Sequence, residues 1–442
     1  MVFRGRGFVI DHYRKDLLTT APLLQKGDPR WPAHAGVGGF FPGGGRCPVS
    51  PWDKLVFNPV YLNHLPVYEG RLPGTGVIIG PNSRRPLSLK IPVLLGGMAY
   101  KTLNAAAKQA LALGATMAGT ATNTGSGPFL PAERAAAEKL IVQYIRGGWG
   151  KDLEALLRAD AIEIQLGRGP WGALPRAAAI TQRAAGLELR GILPRKPGEK
   201  DDIPPRVAGI RTPAELAELI ENLRRKTGGV PIGVKIGGTG FLEKELDLIL
   251  RAGPDFLSVT GLEGGFWDWK AGSMNLRGAM GLPTLYLLVR ACRFLEKRKL
   301  RGKVTLLAGG GLVTPVDFLK AMALGADAVF IGSAALVALV YPQGFPFSRR
   351  LAIDKLFYGK GEGINVSRAA HGLANFLRAA VAEMQAAALQ MGKEHLREVG
   401  LEDLSSLDRE LAAYLGINWC GGLREGPQYG KSGDYNVMWK ED

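Results

Sequence analysis

The sequence predicts an eight-stranded parallel α/β barrel, and three observations predict it. Strand-length apolar runs alternate with helix-length runs from Ile91 to Tyr341, with strands centred near residues 93, 116, 141, 162, 232, 256, 305 and 328. Such alternation implies a parallel sheet, and eight units imply closure into a barrel rather than an open sheet. The last two strands, Val304–Ala308 and Ala328–Ile331, each run straight into a glycine turn, Gly309-Gly310-Gly311 and Gly332-Ser333. Glycine turns after strands 7 and 8 gather backbone N–H groups around one point, which is where a barrel places a phosphate.

In chain order, residues 1–90 read as an N-terminal wrap too rich in Gly and Pro to sustain long elements, with Trp31, Phe40, Phe41 and Trp52 as anchors. WDKLVFNPVYL and GVIIGPNSRRPLSLKIP read as short β pieces leading into the barrel, residues 91–341. PVLLGGM (Pro92–Met98) is a strand, Leu103–Leu113 an Ala-rich helix, and Ala115–Gly127 a strand ending in a polar loop. A short helix at Pro131–Ala137, a strand at Leu140–Gly147, a helix at Lys151–Arg158 and a strand at Ala161–Leu166 follow. After a longer excursion come a helix at Pro213–Lys226, a strand at Pro231–Ile236, a helix at Phe241–Ala252 and a strand at Asp255–Thr260. Helices at Pro283–Arg298 and Pro315–Leu324 flank the seventh strand, Pro315 standing where its missing N–H costs nothing. Residues 342–417 form a helical extension: Asn365–Met391 repeats Leu373, Phe376, Leu377, Ala380, Val381 and Met384 at helical spacing, and short helices follow at Leu401–Leu404 and Asp408–Leu415. Residues 418–442 read as a polar, aromatic tail draped on the surface or at an oligomer contact, which leaves a homo-oligomer open.

Composition narrows the class. A chain of 442 residues with 46% hydrophobic content can bury a large core. Its three cysteines, Cys47, Cys292 and Cys420, lie far apart, so neither a disulfide framework nor a paired metal site is expected. The N-terminus lacks an uninterrupted apolar segment, and the longest apolar run, Ala328–Pro342, is too short for a membrane span, so a cytoplasmic protein is expected. The net charge of +16 attracts anions in general: phosphorylated cofactors, acidic proteins, nucleic acid or membrane surfaces. Its dispersed pattern reads first as a solvated basic surface, with an acidic electron-donor protein as the sharper alternative. No zinc-finger or RNP sequence supports a specific nucleic-acid partner.

Several residues point to chemistry. Lys235, in VKIGG at the end of the fifth strand, sits between apolar residues and must turn into the barrel mouth to keep its charge satisfied. There it can stabilise negative charge on a reduced heterocycle. Gln143 on the third strand can both donate to and accept from a pyrimidine edge. Thr122-Asn123-Thr124 offers short polar groups to the same mouth, and GLEGG (Gly261–Gly265, with Gly264 and Gly265) lets backbone approach a ring closely. GRGPWG (Gly167–Gly172), with Glu188 downstream, fits the dinucleotide spacing, but Pro170 is awkward within such a turn. GPQYGKS (Gly426–Ser432) is one residue short of a phosphate loop and has no strand before it. Together with the phosphate cradle, these groups predict flavin mononucleotide (FMN): a planar ring over the mouth and one phosphate at Gly310-Gly311 and Gly332-Ser333.

The segments WDKLVFNPVYL, PVLLGGM, TNTGSG, ADAIEIQL, AELAELI, VKIGG, SVTGLEGG, GLPT, LLAGGGLVTPVDFLKAMALGADAVFIGSAAL and NFLRAAVAEM run in the order of the FMN-binding glutamate synthase family, over residues 50–415. The chain resembles the short archaeal-type members of that family. The resemblance implies FMN held at Gly97-Met98, Thr122, Gln143, Lys235, Gly310-Gly311 and Gly332-Ser333. It also implies hydride transfer from reduced FMN to the carbon of an imino acid, 2-iminoglutarate formed from 2-oxoglutarate and ammonia in the family. A separate electron donor is implied as well: a ferredoxin, a flavodoxin or a reductase subunit.

Departures from the family pattern concern the substrate. Ser126 stands where TNTGEGG has an acid, and Gln165 replaces the lysine of IEIK. Arg168 and Trp171 occupy the family's Gln–Gly–x–Lys stretch, and Arg168 can hold a carboxylate bidentately. Val2 stands where a nucleophilic cysteine would open a glutaminase domain, and YPQGFPFSRR (Tyr341–Arg350) replaces the cysteines of an iron–sulfur cluster. Lys235, Gln143 and Arg168 are the expected catalytic set. The rival readings are an FMN enzyme acting on another 2-oxo, 2-hydroxy or amino acid, a flavin-binding regulator without turnover, and a flavin-free sugar-phosphate barrel. The 2-hydroxy-acid chemistry needs a His–Arg pair, and the five histidines (12, 34, 64, 371, 395) all lie outside the strands. The sugar-phosphate reading needs a paired acid and base, for which Glu163 and Glu263 are the candidates.

Overall fold

The structure, a computed structural model, describes residues 50–62, 66, 72–100, 102–147, 152–167, 169, 206–264, 281–343, 355–356 and 364–422, together with two strands at 176–179 and 200–203. Eight strands form one parallel sheet: β4 (Val93–Leu95), β5 (Thr122–Asn123), β6 (Leu140–Tyr144), β7 (Ala161–Gln165), β10 (Ile232–Gly237), β11 (Phe256–Thr260), β12 (Thr305–Gly309) and β13 (Ala328–Ile331). Each pairs with its neighbour in chain order, β13 pairs back onto β4, and the Leu95 N–H donates to the Ala121 carbonyl at 3.0 Å, closing the ring. The intervening numbers belong to a hairpin before the barrel, β2 (Val77–Ile79) with β3 (Leu87–Leu89), and to an antiparallel pair in the excursion after β7, β8 (Arg176–Ala179) with β9 (Lys200–Ile203). The eight-stranded α/β barrel expected from the alternation is therefore present.

Side-chain alternation divides the strands into two faces. Val93, Leu95, Val142, Ile162, Ile164, Val234, Leu257, Leu306 and Val329 pack outward against the helices. Leu94, Ala121, Ile141, Ala161, Phe256, Leu307 and Ala328 fill the interior, joined by Ile79, Leu87 and Leu89 of the β2–β3 hairpin. Two interior glycines make room for aromatic rings: a Cβ on Gly233 would lie 2.2 Å from the Phe256 ring, and one on Gly309 would lie 2.2 Å from that of Phe330.

A repeated device fixes the N-terminal ends of the strands. Asp160, Asp255 and Asp327 precede β7, β11 and β13. Their carboxylates accept the backbone N–H of Leu140 (2.8 Å), Ile232 (2.8 Å) and Leu306 (2.6 Å) on the preceding strands, and each also meets an arginine: Arg134, Arg224 or Arg301.

Among the described residues the helices are α1 (Ala105–Ala118), α2 (Pro131–Ala136), α3 (Leu153–Leu157), α4 (Pro213–Thr227), α5 (Leu242–Arg251), α6 (Thr284–Lys297), α7 (Pro315–Ala323), α8 (Ser333–Val340), α9 (Val366–Gln390) and α10 (Arg409–Leu415). One correction concerns the second strand. The helix expected to end at Leu113 continues to Ala118 and stops at Gly119, whose φ of 74° is left-handed. The strand near residue 116 is therefore helix, and β5 is two residues long. Gly114 lies within α1 as a contact point, since a Cβ there would come within 2.9 Å of Leu373 Cδ2 and 3.0 Å of the Ala370 carbonyl on α9. A second correction concerns the C-terminal extension, where Leu401–Asp403 is a 3-10 turn that passes directly into a strand, β14 (Leu404–Ser406). That strand pairs antiparallel with β1 (Leu55–Phe57) and parallel with β15 (Asn418–Trp419), joining the two ends of the described chain. Residues 1–49 and 423–442, including GPQYGKS, lie outside the described residues.

Candidate active site at the barrel mouth

The C-terminal half of the interior is polar where the N-terminal half is apolar. Asn123, Gln143, Glu163, Gln165 and Lys235 are buried on β5, β6, β7 and β10. Glu163 is the hub. Its Oε1 accepts Gln143 Nε2 at 2.7 Å and Asn123 Nδ2 at 3.2 Å, and lies 3.4 Å from the Lys235 ammonium. Gln165 Nε2 donates to Gln143 Oε1 at 3.1 Å, which orients the Gln143 amide from its other end. The Lys235 ammonium also stands over the Phe330 ring, 4.4 Å from its centroid, a favourable cation–π distance. Burial alone would push the Glu163 carboxyl up, but the Lys235 charge, the Ser258 hydroxyl and the Gln143 and Asn123 amides hold it below its ordinary value. The glutamate is thus an anion inside the barrel.

Gly97, after β4, closes on this group: a Cβ there would lie 3.0 Å from both Asn123 Oδ1 and Gln143 Nε2. Behind it stands Lys108 of α1, with none of its surface exposed. Its ammonium donates to the carbonyls of Met98 (2.6 Å), Asn123 (3.1 Å) and Thr124 (3.3 Å) and pairs with the buried Glu133 at 2.8 Å. Lys108 thereby fixes the loops after β4 and β5 from the helix layer. Sequence reasoning missed both Lys108 and the role of Glu163; the signal for Lys108 was a lone charge on the apolar stripe of an Ala-rich helix.

The second group lies at the ends of β11, β12 and β13. A Cβ on Gly264 would be 2.8 Å from Gly310 Cα, and one on Gly311 would be 2.9 Å from Glu263 Cβ, so these loops pack too closely to admit side chains at the glycines. Gly310 and Gly311 have φ of 115° and 72°, conformations that favour glycine. Three helices begin here, and their first turns differ. The α6 terminus is satisfied by Glu263, which accepts the Thr284 N–H at 2.8 Å and its hydroxyl at 2.7 Å. The α7 terminus carries a capping box of Thr314 and Asp317. Among the described residues, the α8 terminus, whose N-cap is Gly332, has no side-chain cap, and none lies within 4 Å of a Cβ placed on Gly332. Among the described residues, the N–H groups of Gly310, Gly311, Gly332 and Ser333 find no protein acceptor. An uncapped helix start of this kind has the chemistry to receive an anion. Among the described residues, the Thr260 hydroxyl, at the mouth end of β11, and the Ser258 hydroxyl on the same strand find no hydrogen-bond partner.

The expected site residues therefore divide. Lys235, Gln143, Asn123 and Gly97 belong to one contact group; Gly264, Gly310 and Gly311 pack together, and Gly332-Ser333 starts α8 on the adjoining strand. Thr122 alternates with Asn123 on β5, so its side chain faces the helix layer rather than the mouth, and any contact from it must come through backbone. The Met98 side chain belongs to the outer core, while its carbonyl accepts Lys108. Arg168, Trp171, Glu188 and Gly265 lie outside the described residues. The bare N–H groups, the orphaned Thr260 hydroxyl and the buried cation fit a ligand that carries both a phosphate and a polar ring.

Among the described residues, those that the rival readings need do not assemble; His12, His34 and His64 lie outside them. Glu263 is occupied as a helix cap and Glu163 is held by three donors, Gln143, Asn123 and Lys235, so they do not form an open acid–base pair. His371 lies on α9 and His395 caps a 3-10 turn beyond it, so neither is on a barrel strand. Among the described residues, no helix is long and apolar enough to cross a membrane.

Comparison with known proteins bears on the same region. The conserved region in glutamate synthase matches residues 63–341. The chain is 32% identical over 407 residues to a glutamate synthase large subunit-like protein of Rhizobium meliloti, covering 86% of this chain and 89% of that protein. It is 29% identical over 351 residues to the archaeal glutamate synthase (NADPH) of Archaeoglobus fulgidus, covering 72% of this chain and 64% of that one. The chain thus spans less than two thirds of the length of the archaeal-type relative. Among solved structures, a flavocytochrome b2 variant with pyruvate bound shares the fold with a TM-score of 0.51 and 16% identity, over 87% of this chain and 84% of that one.

Proposed function

This chain belongs to the glutamate synthase family, and from that premise we propose that it is an FMN-dependent oxidoreductase acting at the barrel mouth. The observation that carries the proposal is the pairing of two features at one end of the barrel: an uncapped helix start with bare amides, and a buried lysine within an amide network. The first suits a phosphate and the second a ring that gains negative charge on reduction. The relative named for NADPH and the solved neighbour named a flavocytochrome both support redox chemistry.

Gly310, Gly311, Gly332 and Ser333 would hold the FMN phosphate through backbone N–H groups, helped by the start of the α8 dipole. Gly97 and Gly264, without side chains, would let the ring approach backbone. Gln143 has one amide hydrogen and one lone pair left after its bonds to Glu163 and Gln165, enough to donate to and accept from a ring edge. When bound, FMN supplies two-electron chemistry that can deliver a hydride to an imine carbon. The chain's own task is to orient the substrate and exclude water, and no protein nucleophile is required. The substrate class we propose is a 2-imino acid, 2-iminoglutarate or a relative, with Arg168, which follows β7 in the sequence, as its carboxylate partner. Electrons would come from a separate protein donor, for which the basic surface is suited.

The test is direct. Purified protein is expected to be yellow, to release FMN on denaturation, and after anaerobic photoreduction to be reoxidised by 2-oxoglutarate with ammonia, yielding glutamate. Failure to bind FMN would overturn the proposal as a whole. FMN binding with reoxidation by oxygen alone would remove the imino-acid substrate and leave the cofactor.

A further inference from the structure

Lys235 does not present a bare charge to the mouth. Its side chain and that of Glu163 are 7% and 4% exposed, and the ammonium lies 3.4 Å from the carboxylate. The pair is held by two adjacent strands rather than by a loop: β10 sets Gly233 opposite Glu163 and Lys235 opposite Gln165, so the contact is diagonal and fixed by the ladder. Gln143 and Asn123 anchor the same carboxylate oxygen from β6 and β5. Opposite charges this close act on a third group as a dipole, whose influence falls off much faster than that of a single charge. The other members of the network, Gln143, Asn123 and Gln165, are neutral amides.

We propose that Glu163 sets the reduction potential of the bound flavin by cancelling most of the charge of Lys235. The inference rests on the FMN reading of the mouth. It assigns Glu163 a positioning and tuning role exerted through Lys235, without contact to substrate. Its consequence has a definite sign. A reduced flavin ring carries negative charge, so an uncompensated cation beneath the mouth would favour the reduced form over the oxidised one. Glu163→Gln keeps the shape and an oxygen acceptor for Gln143 and Asn123, and removes only the negative charge. Lys235→Met removes the positive charge and leaves the carboxylate.

The experiment measures binding of oxidised and of reduced FMN, together with the midpoint potential by dye equilibration, at pH 6, 7 and 8. E163Q is expected to favour the reduced form by about tenfold, which corresponds to a rise of 29.6 mV for a two-electron couple. K235M is expected to move the ratio the opposite way, and E163Q/K235M to return within about threefold of the wild type, roughly 14 mV on the same scale. An E163Q ratio unmoved at all three pH values, or moved toward the oxidised form, overturns the inference. The double variant buries no lone charge and carries the test where E163Q alone does not fold: a tenfold departure from the wild type overturns cancellation. Absence of FMN binding by the wild-type chain would instead sink the cofactor assignment, so the two failures are distinct.

Discussion

Lys108 exposes none of its surface, yet it reaches three carbonyls on two loops of the mouth and one buried carboxylate. A buried ammonium is tolerable only when every donor has an acceptor, and this one is enclosed by oxygen. Lys108→Met would leave Glu133 buried and unpaired, and breaking one side of such a pair costs about 3–5 kcal/mol. The expected result in urea denaturation is a large loss for K108M and a smaller one for K108M combined with Glu133→Gln. A double variant no better than K108M would show that the carbonyl contacts, rather than the ion pair, dominate. Glu163 gives a prediction in pH. Its folded carboxyl lies below the ordinary 4.5, so the stability it contributes is present above that value and is lost as the pH falls through the folded value. The stability gap between wild type and E163Q should therefore be flat from about pH 5 to 8 and shrink below about pH 4.5. A gap that widened on acidification would reverse the assignment.

At the scale of elements, the barrel was legible because each strand obeys one of two simple patterns, and the exceptions have physical causes. Seven of the eight strand positions fall where the apolar runs place them, and the exception is β5. Gly114 and Gly119 look alike in the sequence, but only Gly119 ends a helix; Gly114 is small because α9 presses against it. That distinction depends on a segment some 250 residues away and cannot be read locally. Gly114→Val should cost about 1–3 kcal/mol by overpacking, seen as a lowered Tm, whereas a merely helix-weakening glycine would be improved by the same change. Lys235 and Gln143 were legible as inward residues because polar side chains on an apolar strand have few other places to go. Glu163 was visible as an acid but not as the partner of Lys235, because pairing follows from strand register, which the sequence does not state. The three aspartates before β7, β11 and β13 went unread, although each stands directly before its strand. Asp255→Ala removes the acceptor of the Ile232 N–H and the partner of Arg224, and should cost about 1–3 kcal/mol. Hydrogen exchange should report faster opening at the start of β10 than at β4, which no aspartate clamps.

At the scale of the molecule, the helical extension behaves as part of the barrel's own core. Helix α9 lies against α1, α7 and α8, and its buried face carries Leu373, Leu377, Ala380, Val381 and Met384. Lys320 on α7 donates to the Trp52 carbonyl at 2.7 Å, and β1 pairs with β14, so the segments on either side of the barrel also bind each other. Burying one large apolar side chain is worth about 1.5–3 kcal/mol. Four such side chains on α9, with the smaller Ala380, therefore supply on the order of 6–12 kcal/mol, comparable with the roughly 5–15 kcal/mol that separates a folded domain from its unfolded state. Removing that face would also expose the apolar surface of α1 and α8 to water, a patch prone to association. We therefore expect a chain cut after Gln343 to be recovered as aggregate or to bind a hydrophobic dye, and the full chain to unfold in one calorimetric transition with FMN present. A soluble truncated chain that unfolds cooperatively and retains FMN would show instead that residues 91–341 fold as a unit and that α9 is an accessory.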